Sequence, residues 1–259
     1  MRLLADTFTS LRNSGQKALT LFLTAGYPKR DSARTLVPFL ADAGADIIEV
    51  GMPFSDPLAD GPVIQESSAV SIRNGMTLEG VLEDVEFIRR RTRIPLVLMG
   101  YVNPILCYGI QRFSHDASAA GVSGIILPEV PLEESERFSK DFEENNLDYI
   151  LLVTPTTPPQ RIRAVDQAST GFVYCVSMTG VTGQKSAVGE NYLQSVRGQV
   201  ALHPLQIGFG ITTPDDANRV AAYGDGVIVG TALIRRLKDG ENDAHLSAWV
   251  KQLKGALCH

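Results

Sequence analysis

The chain has 259 residues, of which 44% are hydrophobic and 20% are charged, with a formal net charge of −5. This composition is typical of a globular protein with a large core, and the lack of a basic stripe argues against nucleic acid as its main ligand. No apolar run approaches the roughly 20 residues that span a bilayer, and the first residues predict a helix rather than a signal peptide, so we expect a cytoplasmic protein without membrane contact.

The cysteines predict neither a disulfide framework nor a metal site. Cys107, Cys175 and Cys258 are odd in number, scattered, and lack the spacing of zinc ligands. We therefore expect structural roles for these thiols.

Eight short, β-rich apolar runs recur along the chain, and each is followed by a longer segment with helical apolar spacing. Most of the runs are continuously apolar, as expected for parallel strands that are covered on both faces. The predicted strands are Ala18–Thr24, Asp46–Val50, Pro95–Tyr101, Ser123–Leu127, Asp148–Thr154, Gly171–Ser177, Leu205–Gly210 and Gly226–Gly230.

Helix boundaries are visible between these strands. Helix starts are predicted at Asp31, Pro131 and Thr213, which are cap-like or proline positions. Glycines stand shortly before several strands, at Gly44, Gly121 and Gly224. These glycines indicate turns that lead from a helix into the next strand.

Eight βα units in a chain of this length predict an α/β protein with a single (β/α)₈ TIM barrel over residues 1–259. A doubly wound sheet is the rival fold, but the turn after the first strand, Leu23-Thr-Ala-Gly-Tyr-Pro28, lacks its Gly-x-Gly-x-x-Gly pattern. We expect an extra N-terminal helix over Leu3–Leu11 at the barrel bottom. We also expect a long loop after strand 2.

A carboxylate, Glu49, stands just before that loop, at the end of an apolar strand. Glu49 follows the apolar residues of the second predicted strand, at the barrel end where chemistry gathers. A buried carboxylate raises its pKa and becomes a candidate proton carrier near neutral pH. The alternative is a carboxylate that is satisfied by backbone groups or a nearby hydroxyl.

Two further carboxylates, Asp56 and Asp60, lie in the proline-rich loop itself. Ser55-Asp-Pro and Ala59-Asp-Gly are also ordinary turn sequences, so solvated turn residues are the alternative interpretation. Asp60 stands just before the helical segment Val63–Arg73, and a short loop there can fold it over the barrel mouth.

Three glycine-containing turns follow the last three predicted strands, at Thr179–Gly183, Gly208–Thr212 and Val229–Ala232. Glycine lets the backbone approach a ligand, and the amides at helix starts favour an anion. Turns after strands 7 and 8 match the usual phosphate site of such barrels, and the polar segment 177–189 can supply a flap over it. Tight turns and a permanently solvated loop are the alternatives.

Together these residues resemble the tryptophan synthase alpha chain family over nearly the whole sequence. The motifs that carry the resemblance are Leu23–Pro28, Glu49-Val-Gly-Met-Pro-Phe-Ser-Asp-Pro-Leu-Ala-Asp-Gly-Pro62, Gly180–Gly183, Gly208–Ile211 and Asp225–Gly230.

The resemblance implies cleavage of indole-3-glycerol phosphate into indole and glyceraldehyde 3-phosphate, without a metal or organic cofactor. It implies that Glu49 moves protons between indole C3 and the glycerol hydroxyl, and that Asp60 stabilises the positive indolenine. It further implies an α₂β₂ complex with the beta chain, with which Pro53 and Asp56 would communicate.

The resemblance also assigns the remaining site residues. The phosphate would bind at Gly183, Gly210, Gly230 and Thr231. The substrate would contact Phe22, Tyr101, Ile126, Tyr174, Thr182 and Phe209. The aromatic residues among them also fit independently, because they fall on or beside strands near the mouth, where a flat ring needs apolar walls.

Several positions depart from the family pattern. Met178 stands where arginine is common, Glu129 replaces an aspartate, Thr231 replaces a serine, and Gln184-Lys185-Ser186 is an unusual flap sequence. A second hypothesis is therefore a weak or inactive alpha chain that mainly activates the beta chain. A third is another phosphate-binding barrel, such as an aldolase, but no lysine for a Schiff base falls within a predicted strand.

Overall fold

The computed structural model describes residues 3–176, 189–208 and 210–258. Within these ranges the strands are β1 (Ala18–Thr24), β2 (Ile47–Gly51), β3 (Leu96–Met99), β4 (Gly124–Ile126), β5 (Asp148–Ile150), β6 (Leu152–Val153), β7 (Val173–Val176), β8 (Leu205–Gly208) and β9 (Gly226–Val229). The helices are α1 (Leu3–Asn13), α2 (Ser32–Asp42), α3 (Pro62–Arg73), α4 (Leu78–Arg89), α5 (Val102–Tyr108), α6 (Ile110–Ala120), α7 (Leu132–Glu144), α8 (Pro159–Ala168), α9 (Glu190–Arg197), α10 (Pro214–Ala221), α11 (Thr231–Lys238) and α12 (Asp243–Gly255).

The strands form one parallel sheet that closes on itself. Its order is β5-β4-β3-β2-β1-β9-β8-β7-β6, and the two outermost segments are separated in the chain only by Leu151. They are two pieces of one predicted strand, so the sheet is a cylinder of eight strands. This confirms the (β/α)₈ barrel and all eight predicted strands, whose ends differ by one or two residues in most cases.

Side chains alternate between the barrel interior and the surrounding helices, as the period of two in a strand requires. On β2, Ile48 and Val50 belong to the large cluster between the sheet and the helices, whereas Ile47 belongs to a smaller cluster inside the cylinder. The strands are therefore apolar on both faces, which explains their continuous apolar sequence.

Helix α1 closes the bottom of the barrel. Leu4, Phe8 and Leu11 are buried and join the inner cluster that also contains Ile47. The ring centroids of Phe8 and Phe172, just before β7, are 6.0 Å apart. The predicted plug is confirmed, and it fills the lower interior with apolar side chains.

The polar residues of the turns at the bottom have a repeated role. In four turns, a side chain accepts a hydrogen bond from the first or second N–H of a neighbouring strand. The pairs are Asp46 with Leu19 N at 2.7 Å, Ser123 with Leu96 N at 3.3 Å, Thr170 with Tyr149 N at 2.7 Å and Asp225 with Leu205 N at 2.8 Å. These bonds satisfy strand N–H groups near the barrel bottom.

The predicted helix starts differ in their detail. Thr213 forms a capping box with Asp216 before α10, as its position suggested. Asp31 precedes α2 but makes no side-chain cap bond.

None of the helices in the described ranges has the length and apolar character that a membrane crossing requires.

We predict that Asp46→Ala destabilises the barrel by about 2 to 4 kcal/mol, because it leaves a strand N–H and the Lys254 ammonium without their shared acceptor. Urea unfolding measures this loss. Asp42→Ala, on the exposed end of α2, is the control and should change the free energy of unfolding by less than about 0.5 kcal/mol. Equal effects of the two substitutions would contradict the role of Asp46.

Candidate active site

Glu49 lies inside the barrel, on the same face of β2 as Ile47. It is the third residue of the strand, and its neighbours across the sheet are Phe22 on β1 and Val97 on β3. The sequence had placed this carboxylate where the strand ends, but pairing continues to Gly51, so the strand holds Glu49 from both sides. Its side chain is fully buried.

No described residue satisfies the Glu49 carboxyl group. Neither of its oxygens has a hydrogen-bond partner within the described ranges. Burial raises the pKa of Glu49 to about 8, because removal from water penalises the charged form. At neutral pH the group therefore carries a proton that it can donate, and it can take a proton back after donation. This is the property that a general acid-base group needs.

Asp60 is held over the mouth of the barrel by Tyr101. The Tyr101 hydroxyl donates to Asp60 Oδ2 at 3.0 Å, and the N–H of Ala59 donates to the same hydroxyl at 3.0 Å. The ring of Phe54 stacks on Tyr101 with centroids 5.3 Å apart. The predicted loop over the mouth is thus present, and it contacts Tyr101, two residues after the end of β3.

Three influences set the pKa of Asp60, which is raised to about 6. Burial raises it most, the hydrogen bond from Tyr101 lowers it, and the negative charge of Glu129 raises it. Glu129 itself accepts a hydrogen bond from the N–H of Val102. The effect of Tyr101 and Glu129 on the pKa of Asp60 was not predicted from the sequence. Their positions just after neighbouring strands β3 and β4 were the available signal.

Tyr174 lies close enough to both carboxyl groups for their charges to affect its pKa. It is buried on the inner face of β7, and its pKa is raised far above the usual value by burial and then by the charges of Glu49 and Asp60. Gly208 on β8 makes room for its ring, since a Cβ there would lie 2.5 Å from Tyr174 Cε2. The side chains of Glu49 and Asp60 therefore lie near the same ring.

Phe22 forms another wall beside Glu49. A Cβ at Gly51 would lie 2.6 Å from Phe22 Cζ, and a Cβ at Gly230 would lie 3.3 Å from Phe22 Cβ. A glycine on β2 and a glycine directly after β9 thus leave room for this aromatic side chain. Ile126 is fully buried in the inner cluster with Tyr174. The predicted contacts Thr182 and Phe209 lie outside the described residues.

The start of α11 is suited to an anion. Gly230 precedes the helix and Thr231 is its first residue, and the first turn contains no acidic side chain. By contrast, the first turn of α10 contains Asp215 and Asp216. Amides at a helix start that are not neutralised by nearby carboxylates favour a phosphate group.

The other predicted phosphate residues are divided between described and undescribed parts of the chain. Gly210 has a φ of +77°, a backbone conformation that favours glycine. Gly183 and the departures at Met178 and Gln184–Ser186 lie outside the described residues. The phosphate site over both turns stays a prediction.

The predicted partner surface is an exposed rim. Asp56 is exposed and accepts a hydrogen bond from the Ser55 hydroxyl, and Leu58 is 92% exposed. Pro53 lies in the same loop, next to the Phe54 that stacks on Tyr101. The loop therefore reaches from the solvent to the hydroxyl that holds Asp60.

We predict that Glu49→Gln stabilises the protein, and that this stabilisation grows as the pH rises from about 5 to 8. The folded pKa of Glu49 is above its ordinary value of 4.5, so between 4.5 and about 8 the folded state binds more protons than the unfolded state, and wild-type stability falls as pH rises. The difference at pH 8 should be about 4 kcal/mol by urea unfolding, because the pKa is raised from 4.5 to about 8. Glu83→Gln, an exposed position on α4, should show no such trend.

Comparisons with known proteins agree with this geometry. A family model described as tryptophan synthase alpha chain matches residues 8–256. The chain is 45% identical over 262 residues to the tryptophan synthase alpha chain of Geobacter sulfurreducens, covering 99% of each chain. It is 43% identical to that of Roseiflexus castenholzii, covering 98% of this chain and 100% of the relative.

Solved structures show the same similarity in three dimensions. A structure of Mycobacterium tuberculosis tryptophan synthase superposes with a TM-score of 0.91 at 36% identity, covering 99% of this chain and 98% of that one. The alpha subunit from Legionella pneumophila gives a TM-score of 0.87 at 32% identity, covering 99% and 98%. The chain therefore belongs to the tryptophan synthase alpha chain family.

Proposed function

We propose that Glu49 and Asp60 perform the reaction of this family on the present chain. That reaction is the cleavage of indole-3-glycerol phosphate into indole and glyceraldehyde 3-phosphate, a lyase step of tryptophan biosynthesis. One observation carries the assignment of roles. The two carboxyl groups, one buried and one half-buried, have raised pKa values, lie near the same Tyr174 ring, and differ in which protonation state neutral pH favours.

Glu49 begins the reaction protonated. It donates its proton to C3 of the indole ring, which leaves a positive indolenine and a Glu49 carboxylate. The carboxylate then takes the proton of the glycerol hydroxyl as the carbon–carbon bond breaks, and the bonding electrons return to the ring. Indole and an aldehyde are formed, and Glu49 ends protonated as it began. A pKa of about 8 suits this exchange in both directions.

Asp60 supports the charge that appears on the ring. With a pKa of about 6 it is mostly ionised at neutral pH, so it can accept a hydrogen bond from the indole N–H and stabilise the cation. Tyr101 fixes the carboxylate by donating to one of its oxygens. The second oxygen makes no side-chain bond with a described residue and can face the substrate.

The remaining site residues bind rather than react. Phe22, Tyr101, Ile126, Tyr174, Thr182 and Phe209 would surround the indole and glycerol parts. The backbone amides at Gly183, Gly210, Gly230 and Thr231 would hold the phosphate. The acid-free start of α11 supports this position for the phosphate.

The chain assembles with the tryptophan synthase beta chain in an α₂β₂ complex, as members of this family do. We infer that Pro53 and Asp56 lie on the surface that faces the beta chain, which the exposure of Asp56 and Leu58 supports. We also infer that residues 1–259 act as one catalytic domain. A cytoplasmic location is supported by the phosphorylated substrate and by three free thiols.

We predict that Glu49→Gln and Asp60→Asn each lower the rate of indole release by about 10²-fold or more, with little change in phosphate affinity. Neither substitution removes a backbone amide of the phosphate site. Indole release measures turnover, and titration with inorganic phosphate measures the binding. Glu134→Gln, an exposed residue of α7, is the matched control. Unchanged turnover in Asp60→Asn would overturn its role.

We predict a bell-shaped pH dependence of kcat/KM with limbs near the pKa values of about 6 and about 8, because Asp60 must be ionised and Glu49 protonated. Tyr101→Phe removes a donor to ionised Asp60 and should move the acid limb to higher pH. Glu129→Gln removes a negative charge and should move it to lower pH. Movement in the same direction for both variants would contradict this account of the electrostatics around Asp60.

A further measurement separates catalysis from a mainly regulatory role. Indole release is assayed with and without the beta chain, and beta activity is assayed with and without this chain. We expect cleavage that the beta chain accelerates. No cleavage in either condition, with stimulation of the beta chain intact, would select the regulatory role.

A further inference from the structure

Helix α3 has an unusual buried face. Its fully buried side chains are Ser67, Ser68 and Ser71, whereas the helices of a barrel usually bury apolar side chains against the sheet. Buried hydroxyl groups need hydrogen-bond partners to offset their removal from water. The partners of two of these serines lie on the segment that ends β1.

The first link joins Thr24 and Ser67, both of which are almost completely buried. Their hydroxyl oxygens are 2.6 Å apart, and Ser67 also donates to the carbonyl of Ile64 at 2.8 Å. A hydroxyl has only one proton. Because Ser67 gives its proton to Ile64, Thr24 is the donor in the bond between strand and helix.

Two further links follow along the same helix face. Ser71 donates to the carbonyl of Ala25 at 2.5 Å, and Asn74 donates to the carbonyls of Gly26 at 2.9 Å and Pro28 at 3.0 Å. The spacing of Ser67, Ser71 and Asn74 is four and then three residues, which places them on one side of a helix. We call these three residues the polar stripe.

The polar stripe connects the two parts of the active site. Thr24 pairs with Gly51 at the end of β2, two residues beyond Glu49. At the other side, α3 begins at Pro62, and the Gln65 amide donates to the carbonyl of Asp60 at 2.9 Å. The helix that follows the Asp60 loop is therefore bonded directly to the strand beside Glu49.

We propose that the polar stripe positions Asp60 relative to Glu49, with the Thr24–Ser67 bond as its central contact. This inference rests on the roles proposed for the two carboxylates. Val63, Ile64 and Val70 also pack α3 on an apolar cluster with Phe22 and Tyr27, but such contacts are not directional. Hydrogen bonds with defined distances and angles fix the helix along its axis, and with it the loop.

The test uses Thr24→Val, Ser67→Ala and the double variant of the full chain, assayed with the beta chain. Ser67→Ala alone leaves the buried Thr24 hydroxyl without an acceptor and should lower both stability and turnover. In the double variant no unpaired donor remains, so the Tm should return toward the wild-type value. The Thr24–Ser67 hydrogen bond is still missing, so kcat should stay about 10-fold or more below the wild-type value, with KM changed by less than about 3-fold.

Two controls make the result specific. Ser135→Ala removes a buried serine of α7 whose hydroxyl, among the described residues, bonds to its own helix at Leu132, and it should leave kcat unchanged. Ser67→Thr keeps the hydroxyl and should restore most of the turnover. If kcat recovers together with the Tm in the double variant, or if Ser67→Ala behaves like Ser135→Ala, the polar stripe has only a structural role and the proposal is overturned.

The Asp60→Asn variant distinguishes a failure of the proposed catalytic roles from a failure of the proposed positioning role. If Asp60→Asn abolishes cleavage while the double variant cleaves at the wild-type rate, the positioning role fails and the roles of the carboxylates stand. If Asp60→Asn cleaves at the wild-type rate, the proposed chemistry fails and the positioning role fails with it.

Discussion

The removal of the Glu49 carboxyl group from water is the constraint on which the rest of the site depends. A carboxylate that is fully buried without a hydrogen-bond partner among the described residues is unfavourable, and the group responds by keeping its proton up to a pKa of about 8. The same burial that weakens the folded state as pH rises makes the group a proton donor at neutral pH. The chemistry and the stability penalty have one physical cause.

Contacts elsewhere in the barrel offset the unfavourable burial of Glu49. At the bottom, α1 fills the interior with apolar side chains, and turn residues such as Asp46 and Asp225 satisfy the N–H groups of neighbouring strands. At the top, Phe22 and Tyr174 occupy space that glycines on adjacent strands leave open. The turns at the bottom thus satisfy strand N–H groups at the end opposite to the unsatisfied carboxyl group.

The sequence was sufficient for the architecture, because parallel strands covered on both faces have a distinctive continuous apolar pattern. It also predicted Glu49 and Asp60 as the catalytic pair, and this assignment stays a proposal. It placed Glu49 at the end of its strand, because the apolar run stops there, although Gly51 continues the ladder with Thr24 and Met99. Glycine has no apolar side chain, so an apolar pattern in the sequence does not show that Gly51 belongs to the strand.

Contacts between segments that are distant in sequence could not be predicted from the sequence. The bond from Tyr101 to Asp60 joins two loops 41 residues apart, and no local pattern specifies such a contact. The serines of α3 are equally uninformative in isolation, since hydroxyl groups at helical spacing also suit a solvated face. The assignments of Thr182, Gly183 and Phe209 concern residues outside the described ranges and stay predictions.

The two carboxylates differ in how firmly the fold holds them, and this difference fits their roles. Glu49 stands in a strand that is paired on both sides, so its position and its burial are set by the barrel itself. Asp60 stands in a loop, and its pKa is a balance between burial, the donor Tyr101 and the charge of Glu129. A rigid strand can keep one carboxyl group protonated by burial alone. A loop with a nearby donor can keep the other ionised at the same pH, so that one mouth contains both an acid and an anion.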